Sequence, residues 1–153
     1  MTAGAPRTTV REYHRCVSDT DPLEFARKTC EQLANASQGT LSWDWDGRSS
    51  TAVAAFESDV DEAMQVELTA HFDTRWTSQN LGEAPERVNS VASLLGGLRG
   101  NQLLWVSSPD APAMLFCAWW PWGNGTRVSI RIGYDAPNGG SHDGTDLKSW
   151  FGI

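Results

Sequence analysis

The chain has 153 residues, of which 40% are hydrophobic and 20% are charged, and its formal net charge is −7. This length and composition predict one globular domain and exclude a disordered chain. The sequence contains no run of about 18 apolar residues, which a membrane-spanning helix would need. The acidic excess and the presence of only two lysines, Lys28 and Lys148, argue against nucleic acid or an anionic membrane as the partner. Residues 1–10 lack the apolar segment of a signal peptide, which favours a cytoplasmic chain.

The first half of the chain predicts a helix followed by three strands. Residues 21–24, Asp-Pro-Leu-Glu, combine a cap residue, a proline and an acid in the order that opens a helix. The alternating segment 41–46 and the apolar segment 51–57 predict two strands. Residues 64–72 alternate apolar and polar side chains throughout, which predicts the third strand.

The second half repeats this order after a polar stretch at residues 74–82, which predicts a loop. Pro85 and Glu86 open a second helix, whose apolar stripe runs to Leu98 before a glycine-rich end at Gly100. Three further strands are predicted at residues 102–108, 113–120 and 126–134, and Asn124-Gly125 is a strong hairpin-turn signal.

A constant shift of 62 residues superimposes the two halves without a gap. It pairs Glu24 with Glu86, Leu33 with Leu95, Trp43 with Trp105, Val66 with Val128, and Phe72 with Tyr134. Two explanations are open: duplication of a helix–three-strand unit, or one architecture imposing similar patterns on unrelated segments. In either case one unit cannot cover its own apolar sheet face, so the two units are expected to pack as one domain.

The predicted fold class is α+β, in the order αβββαβββ, with a six-stranded, largely antiparallel sheet and two helices on one of its faces. The whole of 1–153 forms a single domain, with pseudo-repeats at 21–73 and 83–135, an N-terminal arm at 1–18 and a C-terminal tail at 136–153. The tail ends on an apolar cluster (Leu147, Trp150, Phe151 and Ile153), which predicts that it docks on its own domain or on a second copy in a homodimer.

The element order and the net acidity are similar to those of bacterial secretion chaperones and of some small toxin-immunity proteins. This resemblance implies a protein that holds a protein partner without catalysing a reaction. Residues 1–76 hold 13 acids and 7 bases, a net charge of −6, whereas residues 77–153 hold 6 acids and 5 bases, a net charge of −1. The acidic half would attract a basic partner, or would serve only to keep the chain soluble.

The polar side chains of the predicted strands suggest one candidate site for chemistry. Glu67 and His71 on the third strand would face Arg127 and Arg131 on the sixth, with Asp44 nearby. His71 could then serve as a base oriented by Glu67, while the arginines hold an anionic ligand. The competing interpretation is a solvated sheet face with cross-strand ion pairs. The spacing of the histidines and cysteines predicts no metal site and no cofactor.

The eight tryptophans suggest a second candidate site. Successive strand residues point to opposite faces, so Trp119 and Trp120 cannot lie in the same core, and Trp122 borders a turn. At least one ring is therefore exposed, or it is covered by the N-terminal residues or by the tail. An exposed tryptophan is typical of a protein interface, and it also stacks on sugars.

The leading hypothesis is therefore a non-catalytic, acidic protein-binding domain that uses a tryptophan-edged sheet surface. Its partner-binding residues would be Trp119, Trp120, Trp122, Asp44 and Asp46. The first alternative is a small enzyme or ligand-binding domain that uses the polar sheet face of His71, Glu67, Arg127 and Arg131. Carbohydrate binding through the three tryptophans is the second alternative.

Overall fold

The computed structural model describes residues 24–37, 39, 41–111, 113–135 and 145–153. The helices within these ranges are α1 (Glu24–Ala36), α2 (Asp61–His71), α3 (Glu86–Leu94) and α4 (Thr145–Phe151), with 3-10 turns at Ser58–Val60 and Leu81–Glu83. The strands are β1 (Asp44–Asp46), β2 (Thr51–Glu57), β3 (Thr74–Thr77), β4 (Leu103–Val106), β5 (Met114–Pro121) and β6 (Arg127–Asp135). No helix within these ranges is both long enough and apolar enough to cross a membrane.

The six strands form one antiparallel sheet in the order β1-β2-β6-β5-β4-β3. The predicted α+β class and the antiparallel sheet are confirmed. The long strands β5 and β6 lie at the centre, joined by the tight turn that Asn124-Gly125 predicted. Gly133 of β6 packs against the ring of Phe116. A larger residue would clash here, because an added Cβ would lie 2.7 Å from Cζ of Phe116.

Helices pack on both faces of the sheet. The first face carries α1, α2 and α4 over a core that includes Phe56, Trp105 and Ile130. The second face carries α3, which packs on the β4 and β5 side chains that point away from that core. The prediction that the first and second predicted helices, α1 and α3, share one face is not confirmed. The composition of β5 explains the difference. Seven of its eight residues are apolar and they point alternately to both faces, so each face has apolar side chains that a helix can cover.

The strand predicted at residues 64–72 is wrong, since this segment forms α2. Met64, Leu68 and Phe72 follow each other at intervals of four and are buried, whereas Val66, between them, is 69% exposed. The alternating pattern therefore contained a helical spacing as well. Two acids in the first helical turn and several strong helix formers favoured the helix.

The duplicated helix–three-strand unit is likewise not confirmed. The first unit reads helix–strand–strand–helix, because α2 stands where β6 stands in the second unit. The shift of 62 residues thus pairs Val66, exposed on a helix, with Val128, buried in a strand. The count of six strands is nevertheless retained, because β3 forms within the stretch predicted as a loop, where the threonines and Trp76 favour extended backbone.

Several element ends differ from the predictions. β1 begins at Asp44, later than predicted, and α3 ends at Leu94, before Gly96 and Gly97, whose φ angles are 94° and 86°. The first three residues of the predicted helix opening, 21–23, lie outside the described residues, as do the N-terminal arm at 1–18 and residues 136–144 of the predicted C-terminal tail.

The described part of the C-terminal tail, residues 145–153, docks on its own domain, one of the two outcomes that its apolar composition predicted. Leu147 and Phe151 of α4 are 1% and 7% exposed, respectively. The ring of Phe151 lies 4.4 Å, centroid to centroid, from that of Trp43. Trp150 is partly buried, 5.8 Å from the ring of Tyr134. The helix therefore closes one part of the first-face core.

Candidate functional site

α3 covers only part of the second face of the sheet. Its packed side chains meet β4 and β5, whereas the second-face side chains of β1, β2 and β6 are not part of that apolar cluster. The strand registers place these side chains together. We call this surface the open face; its residues are Asp44, Asp46, Val53, Ala55, Glu57, Trp120, Trp122, Arg127, Ser129 and Arg131. The side chains on β1, β2 and β6 form a surface that no described helix covers, and Trp120 of β5 lies where this surface meets the α3 cluster.

The structure separates the three neighbouring tryptophans. Trp119 points to the first face and is 2% exposed, with its ring centroid 5.5 Å from those of Phe56 and Trp105. It belongs to the core and not to the open face. Trp120 points to the second face, where it is partly buried against the α3 cluster. Trp122 is 44% exposed. The predicted opposite orientation of Trp119 and Trp120 is confirmed.

Trp122 is held in place although it is exposed. Its backbone N–H donates to the carbonyl of Arg127 at 2.9 Å, and its own carbonyl accepts from Gly125 at 2.9 Å. Gly125 adopts a φ of 74°, which this turn requires and glycine permits. The guanidinium carbon of Arg127 lies 5.4 Å from the centre of the Trp122 ring, and Arg127 also pairs with Glu57 across the strands. The turn therefore fixes the backbone of Trp122, and its ring contacts Arg127.

The acids and arginines of the open face are paired with one another. Asp46 of β1 forms an ion pair with Arg131 of β6, and Glu57 of β2 forms one with Arg127 of β6. Asp44, on the same strand as Asp46, is exposed and accepts the backbone N–H of Trp45 at 2.8 Å. The open face therefore has a mixed charge, with Asp44 at its β1 edge.

The backbone around Asp46 and the neighbouring arginine both favour its charged form. The N–H of Arg48 donates to Asp46 Oδ1 at 2.9 Å, and this hydrogen bond, followed by Arg131, lowers the pKa of Asp46 below its ordinary value. A lowered pKa in the folded state stabilises the fold above the ordinary aspartate pKa of about 3.9. That stabilisation is lost as the pH falls through the lower, folded-state pKa.

Asp46→Asn is expected to lower the free energy of unfolding at neutral pH by less than about 1 kcal/mol, the usual range for a partly exposed ion pair. The difference from the wild type should close as the pH falls below about 4. Urea unfolding at a series of pH values measures both quantities. Asp44→Asn, which removes a charge from the same strand without breaking an ion pair, is the control. If the difference in unfolding free energy between Asp46→Asn and the wild type stayed constant down to acidic pH, it would contradict the lowered pKa of Asp46.

The structure does not assemble the predicted polar site for chemistry. Glu67 and His71 lie on α2, on the first face, whereas Arg127 and Arg131 lie on the second. The two acid–base candidates do meet: Nε2 of His71 lies 3.3 Å from Oε2 of Glu67, although no hydrogen bond forms between them. The separation from the arginines follows from α2 being a helix over one face instead of a strand within the sheet. No group of three or more His, Cys, Asp or Glu in the described ranges is arranged to hold a metal ion.

The first face contains a cleft of about 230 Å³ between α1, α2 and the segment that leads into β1. Its floor is formed by Ile130 and Ile132 of β6, and most of its walls are apolar. The polar side chains that line it are Ser37, at the end of α1, and Glu67. Sequence reasoning missed the cleft, because with residues 64–72 assigned to a strand there was no second helix to form its wall.

Val53, Ala55 and Glu57 of the open face were also missed, whereas Ser129 was predicted to lie on the polar face of the sixth strand. Val53, Ala55 and Ser129 are small or apolar residues whose place was set by the pairing of β2 with β6. The apolar run of β2 predicted a strand that is covered on both faces; its first face is buried, whereas Val53 and Ala55 on the second face are half-buried and are covered by no described helix. The alternation of Arg127, Ser129 and Arg131 along β6 was the signal that one side of these strands is polar.

The chain matches no protein-family model, no curated protein and no solved structure. Because no relative indicates a site, the two candidate sites are defined by the residues that form them. The open face lies on one side of the sheet and the cleft lies on the other.

Proposed function

We propose that this chain is a non-catalytic, cytoplasmic protein-binding domain whose partner docks on the open face, in the manner of an immunity protein or a secretion chaperone. The observation that carries the proposal is Trp122, a large ring that is 44% exposed on a hydrogen-bonded turn and in contact with Arg127. Tryptophan and arginine are enriched among the residues that dominate interface energies. A tryptophan side chain has two rotatable bonds, so it offers a large contact area at a low cost in conformational entropy.

The open face also has the composition of an interface. Small and apolar side chains (Val53, Ala55 and Ser129) lie between the ion pairs, and Trp122 stands at one edge. Such a surface resembles an interface with a desolvated centre and a polar rim. Asp44 and the net charge of −7 favour a partner of basic character, because opposite charge raises the rate of encounter.

The carbohydrate alternative receives less support from the same residues. Sugar binding through stacked rings would use several exposed tryptophans, and all eight lie within the described residues. Of these, Trp122 is more than one-third exposed, whereas Trp119 is buried and Trp120 is partly buried. One exposed ring beside paired charges fits a protein interface better than a sugar platform.

Trp122→Ala is expected to abolish partner binding while leaving the fold intact. A protein captured from the native host by the immobilised wild-type chain should be lost from the Trp122→Ala chain. With the purified partner, the dissociation constant measured by calorimetry should rise by about 30-fold or more, as for a dominant interface residue. Thermal unfolding of the variant should match that of the wild type, because the ring is exposed.

Leu94→Ala is the matched control, because Leu94 is 82% exposed on α3, outside the open face. It should retain the partner at wild-type affinity. A partner that binds Trp122→Ala as tightly as the wild type would refute the proposal. A dimer of this chain that is detected by sedimentation and is dissociated by Trp122→Ala would also refute the proposal. A second copy would then occupy the open face.

A further inference from the structure

We infer that the cleft on the first face is a binding site for a small organic amine, with the ammonium group at Glu67 and an apolar body between α1 and α2. The cleft lies on the opposite side of the sheet from the open face, so this inference does not rest on the proposed partner binding. It combines an apolar interior with one charged group.

The walls of the cleft are firm and apolar. Leu33, Leu68 and Ile130 are 3% or less exposed and belong to the first-face core, so their positions are set by packing on several sides. The volume of about 230 Å³ exceeds the roughly 150 Å³ of an apolar cavity known to accept benzene. A ligand with a short alkyl or aromatic body therefore has the size that the cleft accommodates.

The polar side chains on the wall decide which ligand is preferred. The Ser37 hydroxyl already has hydrogen-bond partners. Its Oγ donates to the carbonyl of Leu33 at 2.7 Å and accepts the indole N–H of Trp43 at 3.3 Å. Glu67 is the charged residue among those that line the cleft. Its carboxylate accepts several hydrogen bonds and donates none, so it favours an ammonium group and disfavours a carboxylate.

The imidazole of His71 does not satisfy the Glu67 carboxylate. Its Nε2 lies 3.3 Å from Oε2 of Glu67 without forming a hydrogen bond to it, and that nitrogen is buried without another partner among the described residues. The Glu67 side chain is 40% exposed, so its carboxylate is accessible to an incoming primary ammonium, which carries three donors. Charge and hydrogen-bonding capacity at the wall of the cleft therefore point to the same ligand class.

Three probes with the same chain length test the inference: octylamine, octanol and octanoate, each titrated into the full chain at neutral pH and followed by calorimetry and by NMR shifts of residues in the cleft. Octylamine is expected to bind at least about tenfold more tightly than octanol, because a charge-assisted hydrogen bond is added to the same apolar contact. Octanoate should bind most weakly. Equal binding of all three probes, or no binding of octylamine, would overturn the inference.

Two variants and one control locate the site. Glu67→Gln should weaken octylamine by about tenfold and leave octanol unchanged, whereas Glu62→Gln, a charge removed from the same helix outside the cleft, should change neither. Ala36→Phe, at the exposed end of α1, should block both ligands by filling the mouth. Thermal unfolding verifies that each variant is folded. Octylamine affinity that is unchanged in both Glu67→Gln and Ala36→Phe would place the amine elsewhere and refute the site.

Discussion

Replacing Arg87 with alanine is expected to lower the free energy of unfolding by about 3 kcal/mol, at the lower end for a largely buried charge whose partners are left behind. The Arg87 side chain is 20% exposed, and it donates four hydrogen bonds to residues that the structure describes. Nε and Nη2 reach the side chain and the backbone carbonyl of Asp135 at 2.8 and 2.7 Å. Nη1 reaches the carbonyls of Pro109 and Ala111 at 2.8 and 2.5 Å. Arg87 therefore ties α3 to the β4–β5 loop and to the end of β6.

Arg87→Lys tests whether geometry or charge carries this effect. Lysine keeps the charge but lacks the planar arrangement of donors, so it should recover no more than about half of the loss. Arg75→Ala is the control, because Arg75 is exposed and makes one long hydrogen bond, 3.4 Å, to Gln65. Urea unfolding of the three variants gives the comparison. A loss below about 1 kcal/mol for Arg87→Ala would show that water replaces these hydrogen bonds without cost.

Phe151→Ala is expected to lower the free energy of unfolding by about 3 to 4 kcal/mol, as for other buried aromatic side chains. The ring is 7% exposed and packs 4.4 Å from that of Trp43, so its removal leaves a cavity between α4 and the first-face core. Loss of this anchor should also release the rest of α4. Urea unfolding measures the stability, and hydrogen exchange at the Trp150 amide, in the last turn of α4, reports whether the helix still forms and docks.

Ile153→Ala provides the control within the same tail. Ile153 is 41% exposed and lies beyond the end of α4, so its truncation should change stability by less than about 0.5 kcal/mol. Similar losses from the two variants would mean that α4 does not dock through Phe151. A stability of the wild-type chain that rises with protein concentration, and that loses this dependence in Phe151→Ala, would mean that the tail docks on a second copy instead.

Local signals in the sequence were sufficient for most of the sheet. The bounds of β2 were predicted as the structure has them, and those of β5 and β6 within one residue, because a run of apolar or alternating residues between turn signals reports burial directly. The turn at Asn124-Gly125 was predicted for the same reason, since the preference of glycine for positive φ is a property of the residue itself.

The segment at residues 61–72 shows where local signals were insufficient. Met64, Leu68 and Phe72 satisfy an alternating pattern and a spacing of four at the same time, so the sequence alone allowed a strand or a helix. The outcome depended on which neighbouring surface needed cover. β2 and β6 present apolar side chains to the first face, and α2 packs there with α1 and α4.

The features of the candidate sites also divide into those that the local sequence determined and those that the tertiary structure decided. The sequence by itself determined that Trp119 and Trp120 point to opposite faces, because side chains alternate along a strand. Only the tertiary structure decided that Trp119 is buried against Phe56 and Trp105, that Asp46 meets Arg131, and that Glu67 lies on the other side of the sheet from the arginines. The physical reason is that alternation is a property of the local backbone, whereas cover and pairing depend on strands and helices that are distant in the chain. Asp46 and Arg131, for example, are 85 residues apart.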